Sequence, residues 1–286
     1  VINSTAPKRR KQLSRLAMIG GAVGASMTLI APTASAAPIV PIPGGAVCDP
    51  VLTEGCLSVV VNSGTFANNG FNLPIANGDM IIAGNLGETD FIPRDDGYLG
   101  VYSKPMTVPG GVLGIDLPFN NLFGLAGVKA TVQAVEVPII GENLTTYEFT
   151  LPVRMKIENA FLGNNCYIGS KETPVVFELK AANPPGDMPT TDTTTAYPVG
   201  TAALTNVQTA DADFALPGAT GCGPFGVLNP IVNWRAKVPN TTGTSLKTTA
   251  TGYFFPSTEA PTNATDPVDG LPGENGSGGS SGSSGS

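Results

Sequence analysis

The sequence predicts an all-β fold, an antiparallel β-sandwich stapled by disulfides and followed by a disordered C-terminal tail. Three observations predict it. Short β-branched runs alternate with turn signals from residue 57 to residue 255. The twenty-six prolines leave few windows in which a helix could run uninterrupted. Within "YEFTLPVRMKI" (147–157), Tyr147, Phe149, Leu151, Val153, Met155 and Ile157 alternate strictly with polar residues or proline. That period of two places one set on a buried face and leaves the other wet. No window of comparable length carries an apolar stripe at the helical period of 3.6 residues.

In chain order, residues 1–36 read as a secretory signal peptide. Lys8, Arg9, Arg10, Lys11 and Arg15 make its basic start, Leu16 to Ile30 its apolar run, and Ala34-Ser35-Ala36 a small-residue cleavage site with Ala37 as the new N-terminus. The apolar run is shorter than the roughly 20 residues a span needs, so no transmembrane helix is expected in the mature chain. The Arg9-Arg10 pair is followed by Lys11 and Gln12 rather than an aromatic residue, a poor fit to a twin-arginine signal. Residues 37–56 are too rich in proline and glycine for a regular element and form an extended arm. Within it, Cys48 and Cys56 flank "DPVLTEG", a turn-forming stretch that makes a local loop closure the economical pairing.

The β domain occupies residues 57–255, about 200 positions, a length that suits one domain. Strands are expected at 57–62, 79–83, 98–103, 128–137, 146–158, 174–181, 203–209, 231–238 and 246–254. Asn69-Gly70, Asn77-Gly78 and Asp96-Gly97 mark turns that need positive φ. Pro152 cannot donate to a ladder, so an edge or a bulge is expected there. After Phe255 apolar residues almost vanish, and residues 256–286, acidic and then Gly/Ser-rich, are expected to be disordered.

The chain has no histidine. This excludes Ser-His-Asp and Cys-His catalysis and the histidine-containing zinc sites. Five of the fifteen basic residues and none of the twenty-two acidic ones lie in the signal, which leaves ten against twenty-two, a mature charge of −12. Such a surface repels phosphate backbones, and nucleic acid is not an expected partner. Four cysteines in an exported chain read as two disulfides, with three connectivities open. For Cys166 the readings are ligand, nucleophile and staple. Neither it nor Cys222 lies in a C-x-x-C or beside a histidine or a basic residue, so the surroundings favour the staple.

"NNCYIGS" (164–170), followed by "LPGATGCGPFGVLNPIVN" (216–233) and a late Gly-Tyr pair, resembles a family of secreted proteins of actinobacteria such as streptomycetes and nocardiae, one with no assigned activity. The resemblance covers residues 125 to 255. It implies export, an extracytoplasmic actinobacterial setting and a Cys166–Cys222 bridge; it implies no reaction, and the arm with Cys48 and Cys56 departs from the pattern.

Other residues carry weaker signals. Glu88, Asp90, Asp95 and Asp96 gather in "GETDFIPRDDGY" (87–98) and are candidate calcium ligands, as are Asp211 and Asp213, although neither stretch has the spacing of a known calcium loop. A glycosidase needs only two carboxylates, and Glu136 and Glu178 are the two inside strongly apolar runs. Trp234, the only tryptophan, could stack on a sugar or fill a core. Aromatic content of 7% is low for the girdles of a membrane barrel. The resulting expectation is a secreted or cell-surface, non-catalytic structural or binding protein of an actinobacterium with no cofactor, whose partner is an envelope component or another copy of itself. The alternatives are a carboxylate-based polysaccharide hydrolase and an oligomeric envelope pore or assembly subunit.

Overall fold

The structure, a computed structural model, describes residues 39–88, 90–111, 127–141, 147–259, 264–268 and 271. The expected signal peptide, with Ala36 and Ala37 at its cleavage site, lies outside the described residues. The β-branched runs form β1 (Ile42–Pro43), β2 (Gly55–Asn68), β3 (Phe71–Ile75), β4 (Met80–Leu86), β5 (Phe91–Ile92), β6 (Val101–Ser103), β7 (Met106–Thr107), β8 (Lys129–Ala134), β9 (Ile139–Ile140), β10 (Phe149–Glu158), β11 (Tyr167–Ile168), β12 (Val175–Ala181), β13 (Thr190–Thr191), β14 (Ala202–Asp211), β15 (Ala219–Thr220), β16 (Thr244–Pro256) and β17 (Ala264–Thr265). Asn69 and Gly70 take φ of 47° and 86°, the left-handed pair a two-residue hairpin demands, and join β2 to β3.

Fifteen of these strands belong to one antiparallel sheet whose path runs β10-β12-β14-β16-β2-β4. The sheet then comes back on itself. Residues 101–107 pair with β4 through β6 and with β8 through β7, and β8 pairs with β10. The two layers of the expected sandwich are therefore parts of a single curled sheet, and its concave side is the core. Leu151, Val153 and Met155 of β10 share that core with Leu57, Val59 and Val61 of β2 and with Phe66, Phe177 and Phe214. Phe177 and Phe214 meet edge to face, 4.8 Å between centroids. Pro152 lies where the partner on one side of β10 breaks: β8 ends opposite Val153 and β9 resumes opposite Thr150. The expected interruption is present.

The outer face of β4 is also covered. Ile81 and Ala83 point away from the core and pack with Val47, Tyr102 and Leu271. The arm lies along this face, with Ile42 fully buried and the Ser58 hydroxyl donating to Pro43 O at 2.5 Å. The arm is held from the other end of the chain, because β1 pairs in parallel with β17. Arg94 then ties this strap to the sheet. Its guanidinium donates to both carboxylate oxygens of Asp266 (2.8 and 3.0 Å) and to Asp96 (2.9 Å), which also accepts from the Tyr102 hydroxyl. Burial, with the bond to Asp96, pushes the Tyr102 phenol far above its usual range.

The described residues just past Phe255 dock on the body: Ser257 is buried, Ala264–Thr265 is a strand, and Leu271 is 5% exposed. Their partner is the N-terminal arm. One expectation needs correction. Residues 231–238 are not a strand; Asn229–Ala236 is a helix, α1, with Pro230 in its first turn, where the missing N–H costs nothing. Lys237, at φ 55°, ends it.

Leu151→Ala is expected to cost about 2–5 kcal/mol, because its side chain is 1% exposed at the centre of the core. Phe225→Ser, at a fully exposed position, should stay within about 0.5 kcal/mol. Urea unfolding of both variants checks this. The Arg94 hydrogen bonds hold the Asp266 carboxyl below its usual range, with burial opposing them. A depressed folded-state pKa contributes stability that is present above the ordinary value of about 3.9 and is lost as pH falls through the folded value. The Tm difference between the wild type and Asp266→Asn should thus be flat from neutral pH down to about 5 and shrink below about 4.

Candidate functional site

Curling a sheet leaves its ends open, and the end bounded by β3, β8 and β11 is covered by α1. The helix is held there by asparagines. Asn233 Oδ1 accepts from Ala219 N of β15 (2.6 Å), and Asn229 Oδ1 accepts from Cys222 N (2.8 Å). At the other end, buried Asn68 of β2 donates from Nδ2 to Ala236 O (2.7 Å), satisfying a carbonyl that the helix terminus leaves open. The chain leading into α1 is fixed by the Cys166–Cys222 disulfide, both residues 0% exposed, and by Gly223 N donating to Leu162 O (2.7 Å). Gly221 has φ of 69°, and a Cβ there would collide with the Asn165 carbonyl, so the close approach requires glycine. The expected staple is therefore formed, as is Cys48–Cys56 in the arm.

Beneath α1 the packing is incomplete. A cavity of about 110 Å³ is walled by Phe66, Leu73, Ala130, Met155 and Ile157 from the sheet and by Val232 from the helix. The i, i+4 pairs Ile231/Arg235 and Val232/Ala236 bring four helix residues to its lining. Deep walls such as Leu216 are 2% exposed, whereas Ile231 is 54% exposed, so the cavity reaches the surface beside the helix. Arg235 is the lining's charged residue. One terminal nitrogen donates to Pro109 O at 3.2 Å, and the guanidinium carbon lies 5.9 Å from the Phe71 ring centroid. Its Nε is buried and has no hydrogen-bond partner among the described residues. In and just before α1, Phe225, Val227 and Trp234 are exposed, with Phe161 exposed on the loop that the disulfide staples to this segment.

The expected carboxylate sites do not assemble. Asp90 and Asp95 are exposed, and Asp96 is occupied by Arg94, Tyr102 and the Tyr98 amide. Asp211 accepts from the Glu178 and Asp213 amides. Among the described residues no three Asp, Glu, Cys or His groups come close enough to hold a metal ion. Glu136 is exposed, and Glu178 is an exposed strand residue 3.9 Å from Lys180. A polar concavity of about 440 Å³ on the outer face, lined by Ser63, Thr65, Gln208, Lys247 and Thr248 among others, contains no carboxylate. Trp234 is neither core nor platform in a groove; it projects from α1, 79% exposed.

Arg235 and the asparagines that hold the helix were not singled out from sequence. Reading 231–238 as a strand hides their convergence, and the available signal was Pro230, a residue suited to a first helical turn. No protein family, curated protein or solved structure matches the chain.

Closing a loop constrains the unfolded chain more as the loop lengthens. Replacing Cys166 and Cys222 by alanine should therefore cost about 4 kcal/mol and replacing Cys48 and Cys56 about 2.5 kcal/mol, for sequence separations of 56 and 8. Equilibrium unfolding of the two double variants reads the order directly.

Proposed function

We propose that this is a non-catalytic binding protein of the extracytoplasmic space that holds a small apolar group in the cavity under α1. The observation that carries this is the cavity itself: apolar walls on a disulfide-fixed frame, open beside a helix, with one cationic group at its edge. Ligand sites have this character, concave and mostly apolar with a few placed polar atoms. Export rests on the signal-like start and on two disulfides, which form in oxidising compartments. Among the described residues no helix is long and apolar enough to cross a membrane. The actinobacterial setting rests on the two cysteine motifs.

The rival readings have less support. A hydrolase would need two carboxylates flanking one bond, and Glu136 lies exposed in the bend after β8 while Glu178 is exposed on β12. A membrane barrel carries an apolar band outside and polar groups within; here the concave side holds Leu57, Val153 and Phe177, and the outer face exposes Ser63, Thr65 and Lys247. An assembly subunit draws support from the exposed Phe161, Phe225, Val227 and Trp234.

Thermal unfolding with small apolar probes tests the proposal. Hexan-1-ol or benzyl alcohol at about one hundred times its Kd should stabilise the chain by about 2.7 kcal/mol, and Ala236→Leu, which fills the cavity from the helix side, should abolish the effect while keeping the fold. Absence of saturable stabilisation by any such probe contradicts it.

A further inference from the structure

We infer that the outer surface of α1, with the loop stapled to it, docks on the surface of an anionic lipid bilayer. The exposed phenylalanines and tryptophan among the described residues, Phe161, Phe225 and Trp234, all lie on the helix or on the two segments joined to it, and Val227 and Ile231 are exposed beside them. Val227, Ile231 and Trp234 follow one another at i, i+4 and i+7 through residues in helical conformation. They therefore form one stripe. Val232 and Ala236 line the cavity, and of the exposed residues only Ile231 does so too. A helix that covers the end of a sheet needs one apolar face; α1 has a second, and it stands in water.

The face is built on a fixed frame. Gly223 N donates to Leu162 O (2.7 Å) and Cys166 is bonded to Cys222, so the neighbours of Phe161 are tied to those of Phe225. Phe225 takes φ of 53°, a left-handed conformation that disfavours a large side chain, and is fully exposed. Packing within the chain gains nothing from that placement, whereas a partner that covers it does.

Size and charge select the partner. A specific protein interface engages roughly 20–30 residues a side, and this face offers five exposed apolar ones. A second copy would also bring the same acidic excess against itself. A bilayer needs less: apolar side chains that reach below the headgroups, an indole at headgroup level and cations nearby. Residues 159–171 and 214–258, which carry the whole face, contain none of the twenty-two acidic residues. Glu158, at their border, pairs with Lys156. Arg235 lies in the last turn of α1 and Lys237 just after it, exposed, with its ammonium donating to Asn69 O. Cations beside the headgroups add attraction to anionic lipid.

Trp234 is the only tryptophan, so its fluorescence reports this face alone. Titrating the full chain with vesicles of equimolar phosphatidylcholine and phosphatidylglycerol should move the emission to shorter wavelength, and brominated acyl chains in the same vesicles should quench it. Phe225→Ser, a substitution expected to leave the fold in place, should weaken vesicle binding about tenfold, and pure phosphatidylcholine should bind more weakly than the mixture. Emission that neither shifts nor quenches under excess lipid overturns the docking, as does equal affinity of the wild type and Phe225→Ser; equal affinity for the two vesicle compositions overturns the anionic lipid. A shift that appears on raising the protein concentration without lipid, with a doubled sedimenting mass, assigns the face to a second copy instead. None of these outcomes bears on the cavity, which the alcohol probes read separately.

Discussion

An antiparallel sheet with one apolar face must hide that face, and this chain does so by returning the sheet to its own beginning. The hinge of that closure is residues 101–107, which pair with β4 through their first half and with β8 through their second. The main core of the β domain is organised by this closure. The inward residues of β2, β10 and β12 share one core, and the residues between them along each strand are left to solvent or to whatever covers the outer face.

Closure leaves two problems, a partly apolar outer face on β4 and an open end. The first is met by the chain termini of the described body: the arm covers Ile81 and Ala83, β17 pairs with β1, and Arg94 binds Asp266. The second is met by α1, held by hydrogen bonds from Asn68, Asn229 and Asn233 and by the Cys166–Cys222 bridge. The two solutions differ in kind. The arm and tail pack closely on the sheet, whereas the helix spans the end and leaves a cavity beneath it. Asparagines fix the helix by polar bonds at its ends without requiring its underside to fill the space below. A binding site is what such an arrangement leaves.

Much of the fold was legible. The alternation in "YEFTLPVRMKI" predicted β10 and the face it buries, Asn69-Gly70 predicted the β2–β3 hairpin, and Pro152 marked a break in pairing. These are local signals, and local signals can be read along a chain. The closure was not legible, because which strands meet around a curled sheet is decided by packing across more than a hundred residues. The docking of residues 264–268 on the arm was not legible for a related reason. Few apolar residues argued against a core, but a two-residue strand needs only a partner edge and one ion pair, and both come from residues more than 150 positions away. The helix was missed because Val232, Trp234, Ala236 and Val238 alternate as a strand would, while the i, i+4 pairs that matter are carried by one turn and a half. Arg235 became visible only when its surroundings did.

The most direct measurement is the set of nuclear Overhauser contacts between carbon-13-labelled hexan-1-ol and the methyl groups of the full chain. The account predicts contacts from the hexan-1-ol chain to Met155, Ile157 and Val232, residues that meet inside the cavity. Contacts confined to the exposed Val227 and Ile231, with none to Met155 or Ile157, would contradict it.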